Sequence, residues 1–359
     1  MARRLLTSLL PFLAITPTLS TPAPKPSLPL PARTVAQLAS SPSWLENIAV
    51  RSNGDLLVTQ LAPAPVLYTV RNPSAPHAAL EPLYKWHEPN VTILLGIIET
   101  YPDVFAVIAG NATANATGYP GTFSVWEVDF SASSPKTASA TPAVSKIANI
   151  PAATFLNGVI PLPGNPSILL IPDSQFGLLF RLDTRTGASK VIADRPEFKP
   201  YPERQNKTVG FGINGVRMQE DGYLYFTNSN LVSIFRLKIT RDGYVARNGK
   251  AGVELVADLN GVTNFVDDFA VGEDGTLWAV SNDGNTIVAV SRDGRRIESV
   301  AGQRDQLTIA GGTAAAFGRG KKDRKVLYVS TAGGLDAPVN GTVTEPGKVV
   351  AVDTEGYIC

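Results

Sequence analysis

Glu46, Asn214 and Asp267 each precede, by ten residues, a leucine that follows a tight turn. The turns contain Asn53-Gly54, Asp221-Gly222 and Asp274-Gly275, and each runs into an apolar strand. Asn157 precedes Ile168 by eleven residues, so one extra residue in its turn puts it at the same phase. Four oxygen-bearing side chains at one phase of a repeat converge if the repeat closes around an axis. Two carboxylates and two amides at one point make a hard-oxygen set, suited to Ca2+ or a similar divalent ion. Without an ion, the same groups give and take hydrogen bonds with a polar atom of a substrate. The competing explanation is local, because Asn and Asp often sit in the turns that enter strands. That explanation suffices for any one of the four; their common phase favours a shared site.

What must position them is a repeat of strands. Apolar strands after a turn recur at 56–59, 103–107, 167–171, 223–227, 277–280 and 325–330. A partner strand follows each, at 67–70, 125–129, 179–183, 234–237, 287–290 and 349–353. The period of roughly fifty to sixty residues lies in the range of propeller blades. Third and fourth strands are expected after the pairs, as at 189–193, 253–257 and 297–301. The fold class is therefore all-β: a six-bladed β-propeller of four-stranded antiparallel blades. The last pair leaves little chain for an outer strand. Residues 33–39 are expected to supply it and close the ring, which also hides sheet edges. Residues 72–90, 110–121 and 196–207 read as long loops that shape a binding mouth.

Composition narrows the function. Of 359 residues, 44% are hydrophobic and 18% charged, and the net charge is +1, which points away from a nucleic-acid partner. The basic run at 318–325 precedes an apolar strand and reads as a solvated loop. His77 and His87 have no nucleophile in a recognisable motif, and the chain has no P-loop, dinucleotide fingerprint or zinc spacing. Residues 1–20 read as a signal peptide: Arg3 and Arg4, an apolar stretch at 5–15, then small residues. That stretch, interrupted by Pro11, is too short for a membrane span. A Pro-rich linker at 21–32 follows, and 33–359 form the propeller. Sequons at Asn90, Asn111, Asn115, Asn206 and Asn340 fit glycosylation on the secretory pathway, with an extracellular or vesicular destination. The single cysteine, Cys359, leaves no internal disulfide, so burial and ring closure must supply the stability. A monomer or weak homo-oligomer is expected.

Ile213-Asn214-Gly215-Val216, followed by Asp221-Gly222-Tyr223-Leu224-Tyr225, resembles the signature of the gluconolactonase/senescence-marker-protein propellers. The resemblance covers nearly the whole mature chain as sparse motifs. It implies that Glu46, Asn157, Asn214 and Asp267 hold a divalent metal and that the protein hydrolyses a lactone. Two places depart from the pattern. Val266-Asp267-Asp268-Phe269 replaces the family's Pro-Asp-Gly, and Gly158 rather than an acid follows Asn157. Leu30-Pro31-Ala32-Arg33-Thr34-Val35, with the stretch from Trp44 to Gly54, is similar to a fungal branch of these propellers that carries a secretory leader. Characterised members of that branch are hetero-Diels–Alderases of tropolonic sesquiterpene pathways, joining an o-quinone methide to an olefin.

The second resemblance implies a secondary-metabolite enzyme with small apolar substrates and no required cofactor. Such catalysis orients two partners and hydrogen-bonds the quinone-methide carbonyl. Asn157, Asn214 and a protonated or paired carboxylate, Glu46 or Asp267, would be the donors. Trp44, Phe155 and Phe269 would form the apolar wall, although strand alternation sends some of these rings into the blades. A lactonase would instead need a metal to polarise the carbonyl and activate water. A third class is a non-catalytic propeller that binds a partner on its face.

Overall fold

The structure is a computed structural model and describes residues 26–131, 141–205 and 207–359. The expected signal peptide, the first five residues of the expected linker and the Asn206 sequon position lie outside the described residues.

Six antiparallel four-stranded sheets follow one another along the chain. The first strand of each blade touches the first strands of its neighbours, so it is the innermost. These innermost strands are Trp44–Val50, Ile93–Tyr101, Ile160–Leu162, Ile213–Met218, Phe269–Val271 and Gly312–Phe317 for blades 1 to 6. The outermost strand of blade 6 is the N-terminal segment Ala32–Gln37. It pairs from Ala32 with Val352 to Gln37 with Lys348. The ring is thus closed by the N-terminal strand, as expected. Leu30 also belongs to the fold: it is buried, and its N–H donates to Val300 O at 2.7 Å. The folded region therefore begins before the expected boundary at residue 33.

The strand pairs legible in the sequence are the second and third strands of each blade; one further strand follows the pair in blades 1 to 5, and in blade 6 the N-terminal strand takes that place. The innermost strand precedes the pair. Its apolar alternation is hard to see because it is short or bulged, as between Leu45 and Ile48, Leu94 and Ile97, and Ile213 and Val216. Residues 72–90, expected as one loop, contain the outermost strand of blade 1, Glu81–Lys85.

Buried apolar side chains form six clusters, one between each pair of adjacent blades. Ile108, Phe123 and Phe155 meet Leu169 and Phe180 between blades 2 and 3. Tyr225 and Ile234 meet Phe269, Leu277 and Val288 between blades 4 and 5. The core is a ring of six interfaces, which leaves the axis to the polar residues of the innermost strands. Hydroxyl groups tie neighbouring blades at that level. Thr59 Oγ1 donates to Leu95 O (2.7 Å), Ser174 Oγ to Ile213 O (2.7 Å), Thr227 Oγ1 to Asp267 O (2.6 Å) and Thr313 Oγ1 to Leu45 O (2.9 Å).

Candidate active site

Each innermost strand, or the segment leading directly into it, places residues at the axis, two adjacent ones in blades 1 to 5. The first residue of the pair is Glu46 in blade 1, Asn157 in blade 3, Asn214 in blade 4 and Asp267 in blade 5. All four are 3–6% exposed. The corresponding positions in blades 2 and 6 are Leu95 and Thr313. The structure therefore gathers the four residues that share a phase in the sequence. The second residue of the pair is Asn47, Gly96, Gly158, Gly215 or Asp268 in blades 1 to 5. The glycines answer a packing need. A Cβ on Gly158 would lie 2.7 Å from Asn214 O, and one on Gly215 would collide with the Asp268 carboxylate. In Asn157-Gly158 and Asn214-Gly215, the asparagine serves the mouth and the glycine admits the next blade.

Hydrogen bonds fix the acids. Trp44 Nε1 donates to Glu46 Oε2 at 2.6 Å. Asn214 Nδ2 donates to Asp267 Oδ1 at 2.7 Å and to Ser229 Oγ at 3.0 Å. Burial is the main force on both acids. It raises the Glu46 carboxyl to about 7; the Trp44 bond works against the rise, and the Asp268 charge adds to it. Asp267 is pushed well above the usual carboxylate range by burial, then by the charges of Glu46 and Asp268, against hydrogen bonds from Asn214 and Asn282. Two buried carboxyls that repel one another retain a proton between them near neutral pH. Asp268 lies one layer beneath. It pairs with Arg217 Nη2 at 2.9 Å and accepts from Phe269 N (2.8 Å) and Asn47 Nδ2 (3.4 Å).

The expected aromatic wall needs correction. Trp44 is only partly buried and reaches the acids through its indole N–H. Phe155 and Phe269 are 1% and 0% exposed and belong to inter-blade cores. Phe155 packs on Phe123 and Phe211, with ring centroids 5.6 and 5.3 Å apart. Phe211 is only partly buried and leads into Asn214, so it is the ring that this cluster offers outward. Both histidines are exposed in connections between strands.

Sequence reasoning missed Asn47, Arg217, Asp268, Asn282 and Lys207. A usable signal was the polar run after an apolar strand, Asn228-Ser229-Asn230 and Asn282-Asp283, which sits at the mouth. The stretch 196–205 contains two short 3-10 turns, Pro196–Phe198 and Pro202–Gln205, and folds over this end. Gln205 Nε2 donates to Ser229 O and Asn264 O. Lys207 Nζ pairs with Asp336 at 2.6 Å and Asp283 at 3.2 Å, on the connections of blades 6 and 5. At the other end of the axis lies a cavity of about 370 Å³. Asn47, Ile98, Gly158, Arg217, Val271 and Phe317 line it, one from each blade.

The axial residues fit a hard divalent cation by their donor chemistry. Two buried, mutually repelling carboxylates flanked by amides are a set that a cation would neutralise. No helix among the described residues is long and apolar enough to cross a membrane.

The closed six-bladed ring is the fold of solved gluconolactonase-like and regucalcin propellers. A regucalcin of Agrobacterium tumefaciens strain C58, a calcium-binding protein, shares the fold with a TM-score of 0.57 at 14% identity, covering 92% of this chain and 96% of that one. No family model matches the chain. It is 30% identical over 364 residues to a Sarocladium schorii protein provisionally named hetero-Diels-Alderase asR5, covering 92% of this chain and 85% of that protein. A Phoma protein with the same provisional activity name is 31% identical over 339 residues, covering 89% of this chain and 92% of its own. The chain belongs to this hetero-Diels–Alderase family of propellers.

Proposed function

We propose that the axial mouth catalyses a hetero-Diels–Alder cycloaddition between an o-quinone methide and an olefin, in the biosynthesis of a tropolonic sesquiterpene-type metabolite. The observation that carries this reading is a pair of buried axial acids, Glu46 and Asp267, held by Trp44 and Asn214, in a chain of this family; burial and mutual repulsion raise both above the usual carboxylate range. In the reaction, the carbonyl oxygen and the methylene carbon of the quinone methide bond to the two olefin carbons. One C–O and one C–C bond form, the ring regains its conjugation, and no atom leaves. The enzyme need transfer no proton. A hydrogen bond to the carbonyl oxygen draws electron density from the diene and lowers the barrier in a site closed to water. The protonated member of the Glu46–Asp267 pair supplies that donor, and the amides of Asn157 and Asn214 stand at the same level. Trp44 and Phe211 supply apolar surface for orienting the partners.

The test mixes purified protein with a phenol that releases an o-quinone methide and with a cyclic sesquiterpene alkene. Adduct formation faster than in buffer, unchanged by chelator and lost in Asn214→Trp, is expected. Chelator-sensitive lactone hydrolysis without adduct would overturn the reading and establish the lactonase alternative. The donor set favours that second reading: Glu46, Asn157, Asn214 and Asp267 would hold the ion, which when bound polarises a substrate oxygen.

The protein is further proposed to travel the secretory pathway as a glycosylated monomer or weak homo-oligomer. Asn90, Asn111, Asn115 and Asn340 support this, because all four lie in connections on the mouth side of the ring. A glycan collar there would admit small molecules and hinder macromolecules. Treatment of the secreted protein with an endoglycosidase should lower its mass; an unchanged mass would refute the modification.

A further inference from the structure

We propose that the end of the axis opposite the acids is a second small-molecule site, which takes a neutral, compact and largely apolar molecule through one acceptor oxygen. The site is the cavity of about 370 Å³ on which all six blades converge. It does not depend on the reaction proposed for the mouth. Each innermost strand runs away from the mouth, so the residues that follow the axial positions line this cavity. Val50, Ile98, Val159, Val271 and Phe317 give it apolar walls from five blades. Ile98, Val271 and Phe317 are only partly buried, so the strands leave apolar surface open in a concave place. Ala270 and Ala316 carry short side chains in the same lining and leave the space unfilled.

The fourth blade supplies the polar anchor, Arg217. A guanidinium has five N–H donors. Among the described residues, Arg217 spends Nη1 on Val216 O (2.8 Å) and Nη2 on Asp268 (2.9 Å), and its side chain keeps 20% of its exposure. The remaining N–H groups are free to meet an acceptor in the cavity. Charge sets the class of ligand. Asp268 offsets Arg217, and Glu99 offsets Arg319 at the rim. An anion would meet those two acids and a cation the two guanidinium groups, whereas a neutral oxygen needs only the spare N–H. Volume sets the size. A cavity of about 150 Å³ accepts benzene, so one of this volume holds about fifteen heavy atoms by proportion.

Three probes of one shape test this on the full chain: benzophenone, diphenylmethane, which lacks the oxygen, and 4-benzoylbenzoate, which adds a charge. Titration calorimetry should show benzophenone binding at least about fivefold more tightly than diphenylmethane, the worth of one hydrogen bond, and at least about tenfold more tightly than the carboxylate. Irradiated benzophenone inserts into nearby C–H bonds, so it also reports where it sits. Mass spectrometry should place its adducts on the far ends of the innermost strands, at Met218, Val271 or Phe317. Val271→Trp and Ile98→Trp fill the cavity from different blades, and either variant that melts cooperatively should weaken binding at least about tenfold. Adducts on the mouth-side connections 174–177 or 229–232 would overturn the site, and their position is read on wild-type protein even where neither variant folds. No binding of any probe would overturn it too. Equal binding of the ketone and the hydrocarbon, or tighter binding of the carboxylate, would overturn the ligand class.

Discussion

Replacing Glu46 by Gln separates the charge of this side chain from its shape. Burial raises the Glu46 carboxyl from 4.5 to about 7. A raised carboxyl binds its proton more tightly in the folded than in the unfolded chain. Its contribution to stability is complete below pH 4.5 and is lost as pH rises towards 7. The size follows from the two values: about 3 kcal/mol between pH 4 and pH 8. Gln cannot ionise, and its carbonyl can still accept from Trp44 Nε1. The variant should therefore match wild type at pH 4 and exceed it by about 3 kcal/mol at pH 8. Urea unfolding at a series of pH values, in chelator, measures the difference directly. A difference that is flat with pH, or that favours wild type as pH rises, would refute the electrostatic account of the mouth. Adding Ca2+ at pH 8 extends the test. An ion held by Glu46 and Asp267 would stabilise wild type and erase the advantage of Gln. Under the cycloaddition reading, Gln also keeps a donor, so activity should stay within about tenfold at pH 6 and lose the decline expected of wild type above about pH 7.

Arg217→Met leaves Asp268 buried and unpaired, so unfolding free energy should fall by about 3–5 kcal/mol in denaturant titrations; a loss below about 1 kcal/mol would mean that water reaches Asp268. Gly215→Ala drives a methyl group into the Asp268 carboxylate and should cost at least about 3 kcal/mol, read as a lowered melting temperature or loss of soluble protein. Removing residues 1–37 strips the outer strand from Lys348–Asp353 and exposes a sheet edge. That truncation should aggregate on light scattering, whereas removal of residues 1–25 alone should leave a monodisperse protein.

Most of the architecture was legible because a propeller repeats its cues. Turn glycines recur in most blades and the apolar second and third strands in every one, and they pointed to the fold class, the blade number and the closing strand. The innermost strands were not legible as strands. Ile160–Leu162 and Phe269–Val271 are three residues long, and the others carry bulges that break alternation. Their axial residues could still be found, because a constant offset from the next strand survives a bulge. The aromatic wall failed for a related reason. Residues beside an axial position alternate between core and mouth, and sequence proximity does not tell which; Phe155 and Phe269 fell to the core, while Trp44 did not. Lys207 was not legible because its ion pairs join connections of different blades, which no local pattern encodes.

The layer beneath the mouth adds to the burial that raises the two acids. Asp268 raises both Glu46 and Asp267 by repulsion, yet it is itself held by Arg217. Arg217 in turn lines the cavity at the opposite end of the axis. Loosening the Arg217–Asp268 pair would expose the full Asp268 charge to the two acids above and raise them further. Under the proposed reaction, the proton offered to a substrate carbonyl would be governed from the far side of the ring. Gly215 makes that coupling possible, because only a residue without a Cβ lets the Asp268 carboxylate lie against blade 4 at the axis. The Asn-Gly pair of blade 4 thus joins two functions in adjacent positions: Asn214 grips the acid at the mouth, and Gly215 admits the acid that tunes it.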